Sequence, residues 1–231
     1  MADKRVYTGF DQYGGSWQPK PDAAGRMRQQ LADKPVATYA LLATVGVFYL
    51  AEMLVSGSRP ELFGRIFTIA PDWPSRPWSL VTSTLSHGSP MHLLFNGFML
   101  YFFGSAIERI LGRGKYLALF FISGALSGII QVAITGGAAL GASGALMAFL
   151  GVALIIMPKV KVMIFPLPVE IPLWVVGIGY VALDLLGVFG ASPFGGNIGH
   201  FAHLAGLAIG LLVGQKTKQD LESKGLKLRF A

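Results

Sequence analysis

The stretch "GASGALMAFLG", residues 141–151, opens an apolar run with a serine between two glycines. Small residues let helices approach one another closely inside a membrane. A hydroxyl group in such a run needs a hydrogen-bonding partner or a hydrated cavity. We therefore expect a second helix to pack against this segment and to carry a polar group that meets Ser143.

The composition of the chain indicates a membrane protein. Of its 231 residues, 53% are hydrophobic and 13% are charged, and the mean hydropathy is +0.56. Soluble domains have about 25% charged residues, so this chain has too little polar surface to cover a soluble globule. It contains no cysteine, which excludes disulfides and cysteine chemistry.

Charges and prolines divide the chain into six apolar runs, each close to the roughly 20 residues that cross a bilayer. The runs are residues 36–55, 91–111, 116–135, 141–157, 171–189 and 199–214. They predict an all-α membrane protein, a bundle of six transmembrane helices formed by one domain, 36–214. The segment 56–90 is amphipathic and is expected to be partly helical in the outer headgroup region. Residues 1–35 are interpreted as a flexible tail, and 215–231 as a second tail.

The distribution of positive charge predicts the orientation of this bundle. All but three of the 19 Lys and Arg residues lie in the two tails and in loops on the same predicted side. The exceptions are Arg59, Arg65 and Arg76. Because cytoplasmic segments carry the excess of Lys and Arg, both termini are expected in the cytoplasm. The alternative, a soluble bundle of six buried helices, does not explain this asymmetry. Since the charge is a topology signal, no nucleic-acid partner is expected.

Three runs that enter from the outer side begin with polar residues. The second run has His92 and Asn96 on one helix face, the fourth has Ser143, and the sixth has His200 and His203. Polar groups inside a membrane are costly and usually face a cavity or one another. These runs therefore predict one water-accessible site a few residues below the outer surface.

Glycines predict that the fourth and sixth helices pack closely, which would bring the His203 imidazole toward the Ser143 hydroxyl. The small residues on the two facing sides are Gly144, Gly151, Gly206, Gly210 and Gly214.

A serine and a neutral histidine at such a site permit nucleophilic attack on an amide. His203 would take the proton of Ser143. Donors aimed at the developing oxyanion are worth about 3–4 kcal/mol each. The candidates are the Asn96 amide, a His92 ring N–H and the backbone N–H of Ser143 at a helix N-terminus.

The acidic residues of the apolar runs leave other chemistries open. They are Glu52, Glu108 and Asp184, and none lies at the outer entrance of the second, fourth or sixth run. No acid is therefore expected beside His203. Asp184 is the single aspartate of the runs, so an aspartyl protease is not expected. The chain has no H-E-x-x-H motif, so no metal is expected. A small transporter that uses Asp184 and Glu52 is an alternative, but it leaves the serine and histidine positions unexplained.

These residues resemble the motifs of the rhomboid family of intramembrane serine proteases. "GASG" is similar to G-x-S-G with Ser143 as nucleophile, and "AHLAGLAIG" to A-H-x-x-G-x-x-x-G with His203 as base. "HGSPMHLLFN" is similar to the second-helix H-x-x-x-N, with His92 and Asn96 as oxyanion partners. The resemblance spans residues 60–214. It implies a six-helix fold in a lipid bilayer, no cofactor, and cleavage of single-pass transmembrane proteins near their outer ends.

Two positions depart from that family's pattern. Trp78 is followed by serine where many members have arginine, and Arg76 precedes it. Met147 stands one turn after the serine, where bacterial relatives often carry a tyrosine under the histidine ring; its polarizable sulfur can still pack against a ring. The other histidines, His87 and His200, are interpreted as loop or rim residues.

The substrate helix is expected to unwind at the outer rim, beside the fifth run. Unwinding in lipid would leave backbone polar groups without partners, so it requires the hydrated site. The glycine-rich loop "GASPFGGNI", residues 190–198, is predicted to move as part of a lid. A relative that binds membrane helices without cleaving them is an alternative, against which the intact Ser143 and His203 argue.

Overall fold

The computed structural model describes residues 22–163, 169–191 and 198–226, and these are mostly helical. Residues Leu100–Gly104 form a π-helical turn. Strands β1 (Lys161–Met163) and β2 (Glu170–Pro172) pair as an antiparallel hairpin. The helices are α1 Ala23–Ala32, α2 Val36–Ser56, α3 Pro60–Phe67, α4 Ser79–Leu85, α5 Pro90–Met99, α6 Ser105–Leu111, α7 Arg113–Thr135, α8 Ser143–Ile156, α9 Leu173–Val188 and α10 His200–Ser223.

Helix α8 is the centre of the fold. Its residues from Gly144 through Ala153 are all buried. A helix that is apolar on every side must be surrounded by other helices, and α7 and α10 make the largest contacts with it. On the α7 side the ring of Tyr116 stacks on Phe149 with a centroid separation of 4.8 Å.

The backbones of α8 and α10 lie directly against each other. A Cβ atom at Gly206 would overlap the carbonyl oxygen of Gly144, and one at Gly210 would overlap that of Ala148. A Cβ atom at Gly151 would lie 2.6 Å from the carbonyl oxygen of Leu207. The two helices therefore keep this separation only while these positions carry no side chain.

The apolar helices differ in length. Within the described residues, two segments are long and apolar enough to cross a membrane, Ala24–Ser56 and Arg113–Thr135. Helices α8 and α9 are apolar but shorter. The second predicted run is divided among α5, the π-helical turn and α6. A helical bundle is thus observed, while the number of membrane crossings stays a prediction.

The segment between α2 and α5 is partly helical, as predicted, and is organised around Arg76. This side chain is 6% exposed. Its Nη1 donates to the carbonyl oxygens of Gly64 and Arg65, at 3.1 and 2.9 Å. Its Nε and Nη2 donate to the two carboxylate oxygens of Asp72, at 2.9 and 2.5 Å, and this pairing lowers the pKa of Asp72.

The expectation of a flexible tail over residues 1–35 is wrong for residues 23–32, which form α1. Its first turn is capped by Asp22, whose side chain accepts from Gly25 N at 2.6 Å. Its last turn is held by Gln30, whose amide donates to the carbonyl oxygens of Arg109 and Ile110 at 2.9 and 3.0 Å. Asp and Asn are favoured N-caps, so Asp22 was a signal for this helix in the sequence.

Parts of the predicted tails and lid lie outside the described residues, namely 1–21, 192–197 and 227–231. Helix α10 extends beyond residue 214, the predicted end of the sixth run, to Ser223. The described part of the second tail is therefore mainly a continuation of this helix.

Helix α2 lacks a side-chain cap of its own, and Glu108 of α6 supplies one. Its carboxylate accepts from Ala37 N at 3.0 Å and from Thr38 N at 2.7 Å. It also accepts from the Thr38 hydroxyl at 2.8 Å. An anionic group at a helix N-terminus satisfies free N–H groups and interacts favourably with the helix dipole.

We predict that Glu108→Gln destabilises the protein by about 2–3 kcal/mol, because an amide replaces a buried charge-assisted acceptor. The measurement is thermal unfolding of the purified protein in detergent. Glu61→Gln, a change at an exposed glutamate in the first turn of α3, is the matched control and should leave the unfolding temperature nearly unchanged. Equal shifts for the two variants would contradict the capping role.

A second prediction concerns the contact of α8 with α10. Gly206→Ala places a methyl group against the Gly144 carbonyl oxygen. It should lower the free energy of unfolding by about 2 kcal/mol or more, because the helices must separate. Gly46→Ala makes the same change in α2, where nothing lies within 4 Å of the new methyl, and should stabilise by roughly 0.5–1 kcal/mol. Unfolding temperatures in detergent compare the two, and a Gly206→Ala protein as stable as the parent would refute the close approach.

Candidate active site

A cavity of about 1310 Å³ lies among α5, α7, α8, α9 and α10. The polar residues that begin three of the predicted runs, on three separate helices, all line it. They are His92 and Asn96 of α5, Ser143 of α8, and His200 and His203 of α10. The structure therefore brings together the polar residues that the sequence places at the start of the second, fourth and sixth runs.

Ser143 is the first residue of α8 and follows a sharply turned backbone. Gly141 has φ +128°, a conformation that favours glycine, and its N–H donates to the Ser83 carbonyl at 2.8 Å. A Cβ atom at Gly141 would lie 2.9 Å from the ring Nε2 of His92 and 3.8 Å from the Ser143 Oγ. The hydroxyl and the His92 ring thus both lie close to the side of Gly141 where a side chain would stand.

His92 and Asn96 occupy successive turns at the start of α5. The Ser89 side chain caps this helix by accepting from His92 N at 3.2 Å. Asn96 is 6% exposed, and among the described residues its amide nitrogen has no hydrogen-bond acceptor. A buried donor without a partner costs free energy, so this amide is ready to donate to an oxyanion that enters the cavity.

His87 lies in the loop between α4 and α5, one of the two places that the sequence suggested, but it is 1% exposed and is not a rim residue. Its backbone N–H donates to the Glu52 carboxylate at 2.9 Å, and its ring packs edge-on against that of His92 with centroids 5.0 Å apart. Burial lowers the pKa of His87, in the loop between α4 and α5, to about 4. The His87 ring is therefore neutral near pH 7, and it limits the space into which the His92 ring could move.

The expectation that no acid lies beside His203 is wrong. Asp184 of α9 reaches α10, and its Oδ1 lies 3.0 Å from the Nδ1 of His203. The same oxygen lies 2.8 Å from the Nδ1 of His200, so His200 belongs to this buried cluster rather than to the rim. Asp184 is 4% exposed, so its side chain is covered by the neighbouring helices.

The contact between α8 and α10 sets the separation of the serine from the histidine. Gly206 touches Gly144, which directly follows Ser143, and His203 lies one turn before Gly206 on α10. Met147, one turn after the serine, is 2% exposed and also lines the cavity.

The arrangement combines a hydroxyl at a helix N-terminus, imidazoles and an unpaired amide donor in a single cavity. The first N–H groups of α8 have no acceptor within the helix, so Ser143 presents both a nucleophile and a backbone donor. These are the components of acyl transfer through a serine nucleophile.

Comparison with known proteins matches this chain to one family. The Rhomboid domain model matches residues 74–219. The chain is 31% identical over 192 residues to the Rhomboid protease GlpG of Haemophilus influenzae, and the match covers 81% of this chain and 94% of that relative.

Proposed function

This chain belongs to the rhomboid family, and we propose that Ser143 and His203 are the nucleophile and the general base of its reaction. Membership makes it an intramembrane serine protease, a serine endopeptidase that acts on transmembrane substrates in a membrane. The observation that supports the residue assignment is the cavity into which α5, α8 and α10 bring their first polar residues. The transporter and the inactive helix-binding relative are not favoured, since the matched relative is a protease.

In the proposed reaction, the Ser143 Oγ attacks the carbonyl carbon of the substrate peptide bond while His203 Nε2 takes its proton. The carbonyl oxygen becomes an oxyanion. His203 then returns the proton to the leaving amine, and an acyl-enzyme remains on Ser143. Water from the cavity hydrolyses this ester by the same proton transfers in reverse, which frees the serine.

The oxyanion is stabilised by donors that are already in place. Asn96 contributes a buried amide whose nitrogen has no acceptor among the described residues. His92 contributes a ring N–H beside Gly141, and Ser143 contributes its backbone N–H at the start of α8. Each donor strengthens its hydrogen bond as charge develops, and this lowers the barrier.

The proposed membrane arrangement is a multi-pass inner-membrane protein with six crossings. Residues 36–214 form the protease domain, and tails 1–35 and 215–231 are cytoplasmic, as the Lys and Arg distribution favours. The active site then faces the outer side. A single-pass substrate enters beside α9, whose outer part flanks the cavity, and unwinds where water satisfies its backbone.

We predict that Ser143→Ala and His203→Ala each lower kcat for a labelled single-pass substrate by at least about 1000-fold. Removal of one oxyanion donor, by Asn96→Ala or His92→Ala, should lower kcat by about 100-fold. Cleavage is measured with purified protein in detergent. Ser58→Ala, at an exposed serine after α2, is the matched control and retains parental activity. Equal cleavage by Ser143→Ala and the parent would remove the assignment.

The orientation of the chain in the membrane can be tested by labelling single cysteines, because the chain contains no cysteine of its own. Ser58→Cys, beyond α2, and Ser223→Cys, at the end of α10, introduce single exposed thiols. In intact cells a membrane-impermeant maleimide should label only Ser58→Cys, and after permeabilisation it should label both. Labelling of Ser223→Cys in intact cells would reverse the proposed topology.

A further inference from the structure

Asp184 holds the two histidines of α10 through a single carboxylate oxygen. We propose that Asp184 is a positioning residue that orients His203 for proton transfer from Ser143. The proposal rests on the function proposed above and adds a member from a fourth helix, α9, to the site.

The hydrogen bonds fix which nitrogen of each ring carries a proton. A carboxylate oxygen can only accept hydrogen bonds, so the Nδ1 atoms of His200 and His203, at 2.8 and 3.0 Å, are both donors to Asp184. A neutral His203 ring then has its lone pair on Nε2. This is the nitrogen that must accept the proton of Ser143, and the other tautomer would present an N–H there instead.

The packing of α9 against α10 keeps the carboxylate in this place. Gly187, one turn after Asp184, leaves the space that the His200 ring occupies, since a Cβ atom there would overlap the ring. The side chain of Asp184 is 5% exposed, and those of His200 and His203 are 13% and 16% exposed. Rings that are mostly covered and hydrogen-bonded have little freedom to rotate away from the serine.

The electrostatics of the cluster favour the same role. In the described part of the chain, the ion-pair partners of Asp184 are only the two histidines, and its Oδ2 has no hydrogen-bond donor. A buried carboxylate without a cationic partner is costly. When His203 takes the proton of Ser143, it becomes a cation beside this carboxylate, so the pair is stabilised as the transition state forms.

The test uses the full-length protein in detergent with the labelled single-pass substrate. Asp184→Asn should lower kcat by about 100-fold or more, because it removes the charge and permits the other tautomer, while KM changes by less than about threefold. Labelling of Ser143 by a serine-directed fluorophosphonate, which does not depend on substrate binding, should slow by a similar factor. Asp184→Glu, which keeps a carboxylate, should retain at least about tenfold more kcat than Asp184→Asn.

Glu108→Gln is the matched control, because it also replaces a buried carboxylate by an amide but lies in the cap of α2, away from the cavity. It should lower the unfolding temperature and keep kcat per folded molecule within about twofold. Asp184→Asn should keep the unfolding temperature near that of the parent and lower kcat. If Asp184→Asn is not recovered folded, Asp184→Ser, a smaller neutral side chain, takes its place under the same criteria.

The outcomes separate the two proposals. An inactive Ser143→Ala beside an Asp184→Asn variant with kcat within about threefold of the parent overturns the role of Asp184 alone. A loss of kcat in Asp184→Asn that only tracks lost folded protein, with equal loss in Asp184→Glu, overturns it as well. Cleavage by Ser143→Ala equal to that of the parent overturns the proposed function and, with it, this one.

Discussion

The contact between the backbones of α8 and α10 is the constraint on which the site depends. At Gly206 the two helices are so close that a Cβ atom would overlap the carbonyl oxygen of Gly144, whereas a Cβ atom at Gly144 itself would meet Ser127 of α7. Ser143 adjoins one of these glycines, and His203 lies one turn from the other. Lipid supplies no hydrophobic drive for such an association, so close van der Waals packing has to provide it. The same packing therefore stabilises the bundle and brings Ser143 and His203, the proposed nucleophile and base, to one cavity.

The acids of the apolar helices show how a membrane protein keeps charged groups inside its core. Glu108 accepts from backbone N–H groups of α2, and Glu52 accepts from the backbone N–H of His87. Asp184 accepts from two imidazoles. Each carboxylate thus joins two elements by accepting from N–H donors where water is scarce, although the Oδ2 of Asp184 has no donor among the described residues. The first two join structural elements, whereas Asp184 joins α9 to His203, the proposed base.

The parts of this site that follow from spacing within one helix could be predicted from the sequence. His92 and Asn96 share a face, and the glycines of α10 form one side of their helix, because the helical period fixes these relations. The position of Asp184 beside His203 could not be predicted in this way. It depends on how α9 packs against α10, and the signal for that packing is the absence of a side chain at Gly187, opposite His200. The burial of His87 depends in the same way on a neighbouring helix, through Glu52.

The orientation of His203 requires a directional restraint, and the residue one turn after the serine does not supply it. Met147 lines the cavity with a flexible thioether, which packs favourably against rings but imposes little orientation. The hydrogen bond from the Nδ1 of His203 to Asp184 is directional, and it is made from a different helix. Because His203 and Asp184 lie on different helices, this bond is kept only while α9 packs against α10. The tautomer of the proposed base therefore depends on the packing of α9 against α10, which Gly187 permits by leaving room for the His200 ring.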